Sequence, residues 1–293
     1  MIKALAIGTG LALLACISAG SLAATGAEVD ALQMPAWRIK HGRRLPLAAG
    51  SPIGNGDEIA TGAGARVLLR MADGSTVKLG ENARFAADDI RQDTGAGANG
   101  LFKASLHVIQ GAFRFTTALI YKQRSKRAVD VRFTTVTIGI RGTDVWGKSE
   151  NHRDIVCLIQ GSISVTPNDG APLTMHTPMT VYQAPGHGTA PEIAPVDPQQ
   201  LAKWADETEI LPDHGTTRKN GQWQLFVAHA LTKDKLETTL SQLRDAGYAA
   251  SITAIADGYW VALDGFASRA EANAMSQRLL GQFGITETST ALR

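Results

Sequence analysis

The densest grouping of reactive side chains lies at Val136–Lys148, VTIGIRGTDVWGK, where an arginine, an aspartate and a tryptophan sit among glycines. Arg141 and Asp144 are the pair that a catalytic or anion-holding loop would present. The alternation of Val136, Ile138 and Ile140 instead reads as a buried strand running into a glycine bend. On that reading Arg141 and Asp144 pair with each other and with turn backbone, so Arg141→Ala lowers stability rather than an activity. Asp73-Gly74-Ser75 has no histidine placed to activate its serine. His41, His107, His152, His176, His187, His214 and His229 are scattered, with no HExxH and no close pair to suggest a metal. There is no GxSxG, and no acid stands in a context resembling a glycan-cleaving enzyme. No catalytic residue, metal ligand or cofactor is expected, and the chain reads as a non-enzyme.

The elements that position these residues begin with an export signal. Lys3 precedes an apolar run from Ala4 to about Ala19, and SLAA offers small residues for cleavage near Ala24, so residues 1–24 read as a signal peptide. Periplasmic localisation follows, with no transmembrane helix after cleavage. Lipid anchoring at Cys16, in LLAC, is the alternative. Cys157 then remains alone in an apolar run and reads as a small buried core residue. A net charge of +2 over 293 residues gives no reason to expect a nucleic-acid partner. The basic run YKQRSKRAVDVR, with Lys122, Arg124, Lys126, Arg127 and Arg132, reads as a solvated loop between strands.

Between Trp37 and Gly186 the chain consists of short β-prone runs broken by Gly and Asp turns. ARVLLRM and STVKL flank the tight-turn signal ADGS, and similar runs recur at SLHVIQGAFRFTT, VDVRFTTVTIGI and DIVCLIQGSISVTP. This pattern predicts an all-β module over 37–186, a sandwich or a solenoid-like fold. Residues 187–220 are Pro-rich and read as a linker that sets reach without fixing orientation. Within it, DPQQLAKWADETEI predicts a short helix capped by Asp197 with Pro198 at its first position.

Residues 221–293 change character, giving an α+β protein overall. WQLFVAH, YAASITAI, GYWVALDGF and ITETST read as strands. TKDKLETTLSQLRDAG and SRAEANAMSQRLLG read as helices, the first stopped by Gly247 and the second opened by a Ser268/Glu271 capping box. The order βαββαβ, with the repeat of Ser-Gln at Ser241 and Ser276, predicts a ferredoxin-like sheet carrying both helices on one face. Alternation turns Leu225, Val227, Ala250, Ile252, Val261 and Leu263 towards the helices. Gln224, Phe226, Ser251, Thr253, Trp260 and Ala262 then face the other way. Aromatic rings with amide and hydroxyl groups on an open sheet suit the stacking and hydrogen bonding of sugar rings.

Two resemblances follow from these motifs. LFVAHALTKDKLETTLSQLRDAGY and GYWVALDGFASRAEANAMSQRL resemble a SPOR domain, a family that binds peptidoglycan glycan strands through such a sheet and favours the stem-peptide-poor glycan of division septa. Trp260 stands where many members carry arginine, and Phe226 where glutamine is common. GNGDEIATGAGARVLLRMADGSTVKLGENARF, VIQGAFRFTT, VTIGIRGTDVWGK and LIQGSISV together resemble a FecR-type domain, an all-β periplasmic module that relays signals or holds partner proteins. The best-known members add a cytoplasmic anti-sigma segment and a membrane helix. Here only a signal-type segment precedes the β module, so an anti-sigma role is not expected of this chain.

These readings combine into a non-enzymatic envelope protein with an expected place in cell division. Gln224, Phe226, Ser251 and Trp260 are its expected glycan contacts, and the FecR-type module engages an envelope protein. The alternatives are a wall-remodelling enzyme targeted by its C-terminal module, or a periplasmic signal-sensing regulator.

Overall fold

The computed structural model describes residues 26–92, 101–118, 127–151, 153–184, 192–255 and 258–293. The signal-type segment with Cys16, residues 187–191, and Lys122, Arg124, Lys126, His152 and His187 lie outside these. No helix among the described residues is long and apolar enough to cross a membrane.

The chain is mostly antiparallel β-structure. Its first strands are β1 (Ala27–Gln33), β2 (Ala36–Lys40), β3 (Arg43–Pro46), β4 (Pro52–Ile53), β5 (Asp57–Thr61), β6 (Arg66–Met71), β7 (Thr76–Leu79) and β8 (Arg84–Gln92). Next come β9 (Phe102–Thr116), β10 (Arg127–Arg132), β11 (Val136–Ile140), β12 (Asp144–Glu150), β13 (Arg153–Gln160), β14 (Ile163–Pro167), β15 (Leu173–Met175), β16 (Thr180–Gln183) and β17 (Glu192–Pro195). Pairing sorts them into two ladders that share the long β9. One runs β17-β16-β13-β12-β9-β7-β6-β1. The other runs β3-β2-β5-β8-β9-β10-β11-β14-β15, parallel only between β9 and β10. Alternate side chains of both ladders are buried, because strand periodicity sends every second residue to the same face. Phe113 stacks on Phe85 at 6.0 Å between ring centroids and meets Phe133 edge-on at 6.3 Å. The ADGS signal forms the β6–β7 turn, with Asp73 accepting from Ser75 N and Oγ at 3.0 and 2.8 Å.

After β17 come α1 (Pro198–Asp206) and β18 (Thr216–Arg218). Asp197 caps α1 as expected, accepting from Gln199 N and Gln200 N at 2.8 and 3.0 Å. The segment does not behave as a free tether, however. β17 extends the first ladder, and Trp204 of α1 stacks on Trp146 of β12 at 4.7 Å and 10°. β18 pairs with β1 and sets Thr217 opposite Phe266 of the C-terminal region. The physical reason is that the indole of Trp204 and the backbone polar groups of 216–218 have partners at hand, and leaving them unmatched would cost more than ordering the segment.

Beneath α1, Cys157 is fully buried, and burial followed by the charge of Asp144 pushes its thiol up to about 11. At neutral pH it is a poor nucleophile. Removing the cover with Trp204→Ala, in a Cys16→Ser background, is expected to raise the rate of Cys157 maleimide labelling by about tenfold, the effect of losing ~1.4 kcal/mol of local stability. Equal rates would mean that α1 does not shield the thiol.

The C-terminal region contains β19 (Trp223–Ala230), a 3-10 turn at Lys233–Leu236, α2 (Glu237–Asp245), β20 (Ala250–Ile255), β21 (Gly258–Phe266), α3 (Arg269–Leu279) and β22 (Ser289–Leu292). Its antiparallel strand order is β22-β19-β21-β20. Leu225, Val227, Val261 and Leu263 are buried in one core with Leu240 and Leu243 of α2 and with Ala272, Met275 and Leu279 of α3. The last strand starts four residues later than ITETST predicts, because a turn intervenes, closed by Ile285 N donating to Gln282 O at 2.8 Å and Gly281 N to Ile285 O at 2.9 Å.

Two clusters of contacts fix this region, one to the first region and one to the segment that leads into β18. Trp37 Nε1 donates to Asp245 O at 3.2 Å, Ala36 N to Gly247 O at 3.1 Å and Arg278 to Met34 O at 3.1 Å. Glu271 supplies the second cluster. Ser268 Oγ accepts from Glu271 N at 3.2 Å, as a capping box requires, but the carboxylate does not complete the box. It instead accepts from Asp213 N and His214 N at 3.1 Å each, and from Gly215 N and Thr216 N at 2.8 Å each.

Candidate functional site

The sheet face turned away from α2 and α3 carries the four residues expected to contact a ligand. Gln224 and Phe226 lie on β19, Ser251 on β20 and Trp260 on β21. The register sets Phe226 and Ser251 on either side of Ala262, so these three form one cross-strand row. Trp260 is opposite Thr253 in the next row. Their roles differ by burial. Phe226 is 7% exposed and meets Trp260 edge-on at 5.6 Å and 68°, so it supports the indole and offers little surface of its own. Trp260, Ser251 and Gln224 are half-buried.

Two neighbours escape simple alternation. Beyond Phe226 the register shifts by one residue, so that His229 comes opposite Trp260. A β-bulge of this kind inserts one residue and reverses the parity beyond it. The exposed His229 ring consequently lies 4.7 Å from the Trp260 ring. Asp264, four residues along β21 from Trp260, accepts from Gln224 Nε2 at 2.6 Å, which fixes the amide and leaves its carbonyl oxygen free to accept. His229 carried no signal in the strand parity. Asp264 could have been found by counting forward from Trp260 in steps of two.

Val136–Lys148 does something different. Val136, Ile138 and Ile140 are buried on β11 as the alternation predicts. Arg141, however, is exposed, and Asp144 pairs with Arg114 instead, through Nε at 2.9 Å and Nη2 at 2.8 Å. The expected Arg141–Asp144 pair is therefore corrected. Arg114 is the next-strand neighbour whose fork matches the carboxylate, and any stability role passes from Arg141 to it. Arg114 also reaches Glu209 at 3.0 Å, beside Lys78, which ties the end of α1 to the ladder. Gly142–Ser149 has the G-x-x-x-x-G-K-S spacing of a phosphate-binding loop. Such a loop needs backbone N–H groups that face a ligand ahead of a helix. Here Asp144–Glu150 is a strand paired with β9 and β13, and Lys148 is held by Glu150 at 3.3 Å and Glu207 at 3.2 Å. No group of three or more His, Cys, Asp or Glu side chains among the described residues is placed to hold a metal.

Comparison with known proteins bears on the first region. The chain is similar to two crystal structures, at 1.65 and 2.50 Å resolution, of a proposed anti-sigma factor from Parabacteroides distasonis ATCC 8503. Each is 15% identical, with TM-scores of 0.38 and 0.39, over 76% of this chain and 92% and 91% of the other. No curated protein matches the chain. Residues 57–164, from the start of β5 to the second residue of β14, match the family model described as FecR protein.

Proposed function

We propose that the C-terminal region, residues 221–293, is a SPOR-type ferredoxin-like module that binds peptidoglycan glycan strands in the periplasm. The observation that supports this reading is a half-buried Trp260, braced edge-on by Phe226, on a sheet face that carries no helix. An indole held in this way can stack on the apolar face of a pyranose ring, at little conformational cost because its orientation is already set. Ser251 and the free carbonyl of Gln224 hydrogen-bond ring substituents, and His229 flanks the stack. The FecR-type domain supplies the surface for an envelope protein partner, and the protein acts without catalysing a reaction. Stem-peptide-poor septal glycan, with a role in division, is the preferred target.

Full-length protein is expected to co-sediment with amidase-treated sacculi, and Trp260→Ala to weaken this by about tenfold, as loss of an aromatic stacking platform does. Phe226→Ala weakens it less, through the loosened indole. Unchanged sedimentation of Trp260→Ala would remove the face as the site, and no sedimentation of the parent would remove the glycan reading altogether.

A further inference from the structure

A cavity of about 320 Å³ lies in the first region, among the β7–β8 turn, β9, the end of β12 and the C-terminal end of α1. Arg66, the first residue of β6, lines it and is only 8% exposed. Its guanidinium makes a single hydrogen bond, from Nη1 to the carbonyl of the neighbouring Ala65 at 2.8 Å, and Nε is buried without a partner. No carboxylate among the described residues pairs with it. Burying a charge in this way is costly unless something answers it. The other charged groups of the lining are Lys148, Glu81, Glu150 and Glu207. Lys148 stands between Glu150 at 3.3 Å and Glu207 at 3.2 Å. Glu81 accepts from Gly64 N at 2.7 Å, which anchors its carboxylate two residues from Arg66. Glu81 and Glu150 are both exposed.

We propose that this cavity binds a free basic α-amino acid of the lysine or ornithine type, with its carboxylate on Arg66 and its ammonium groups at Glu81 and Glu150. The inference is independent of the glycan reading, since the cavity belongs to the first region. The charges select the ligand class. Two cations against three glutamates leave the lining with one negative charge in surplus, yet the unanswered group is a buried cation. A simple anion would satisfy Arg66 but meet the field of three carboxylates. A simple cation would leave the guanidinium as it is. A molecule with one carboxylate and two ammonium groups matches both the sum of the charges and their separation, with the cation buried and two of the acids exposed. The carboxylate supplies the acceptor that the guanidinium lacks. Glu81, tied to Gly64 beside Arg66, takes the α-ammonium, which is covalently close to that carboxylate. Glu150, at the far end of β12, takes the side-chain ammonium. A volume of about 320 Å³ suits a small ligand.

The test is calorimetric titration of the full chain with L-lysine, lysinamide, norleucine and inorganic phosphate, with thermal melting of each variant alongside. Lysine is expected to bind, and lysinamide, which has no carboxylate, to bind about tenfold more weakly, the size of a lost charge-assisted pair. Norleucine, which has no side-chain ammonium, should lose about as much, and phosphate should not bind. Arg66→Met should bind lysine no better than lysinamide and melt no lower than the parent, because it removes a buried charge that has no partner. Glu150→Gln should bind lysine no better than norleucine. The site is overturned if lysine does not bind, or if Arg66→Met binds it as the parent does. Phosphate bound as tightly as lysine would make this a plain anion site and overturn the amino-acid assignment, as would equal affinity for lysine and norleucine. If Arg66→Met melts well below the parent, the guanidinium is a structural group and the proposal falls.

Discussion

Glu271→Ala should lower the melting temperature by on the order of 10 °C, equivalent to about 3–5 kcal/mol for a chain of this size. One carboxylate accepts four consecutive backbone N–H groups from Asp213 to Thr216, and Glu271 is only 8% exposed. Alanine leaves those donors facing a cavity. Each buried donor without a partner costs about 1–3 kcal/mol, partly relieved where water can enter. The damage should be local at first, so protease cleavage within 207–217 should accelerate before the sheets melt. Glu271→Gln, which keeps one acceptor oxygen, is expected to fall between parent and alanine. A melting temperature within about 2 °C of the parent would show that the loop holds itself without the carboxylate.

Gly247→Ala should destabilise by about 2–4 kcal/mol, from two sources that a control separates. Gly247 has φ +86°, a left-handed conformation that costs a side-chain-bearing residue about 1 kcal/mol. A Cβ there would also stand 2.6 Å from the Trp37 indole and 3.0 Å from Pro35 Cβ, where the two regions meet. Gly281, at φ +78°, has open space around its missing Cβ. Gly281→Ala therefore reports the backbone term alone, and thermal melting of the two variants side by side gives the contact term by difference. If both variants melt together, Trp37 yields freely and the junction is looser than its contacts imply.

Much of this architecture can be read in the sequence because the signals are local. The ADGS turn, the Asp197-Pro198 start of α1, the Gly247 stop and the alternation along VTIGI each depend on residues within one or two turns of one another. The βαββαβ order is legible as a repeat, and strand parity brings Gln224, Phe226, Ser251 and Trp260 to one face. What escapes depends on distant partners or on a shift in register. Asp144 has two plausible cations, and only the pairing of β12 with β9 selects Arg114 over the nearer Arg141. His229 reaches Trp260 through a bulge that no composition marks. Glu271 fits a capping box in every local respect, yet its carboxylate serves residues 55 to 58 positions earlier. β18 is three residues long, too short to show a period, and its role lies wholly in the two strands it joins.

That short strand has a mechanical consequence. With β1 hydrogen-bonded on one edge and β21 on the other, Thr216–Arg218 makes the backbone ladder continuous from the first region into the C-terminal sheet. Separating the C-terminal sheet from β1 along this path must break the backbone bonds of Thr216–Arg218, and the single Thr217–Phe266 pair is the narrower of the two joints.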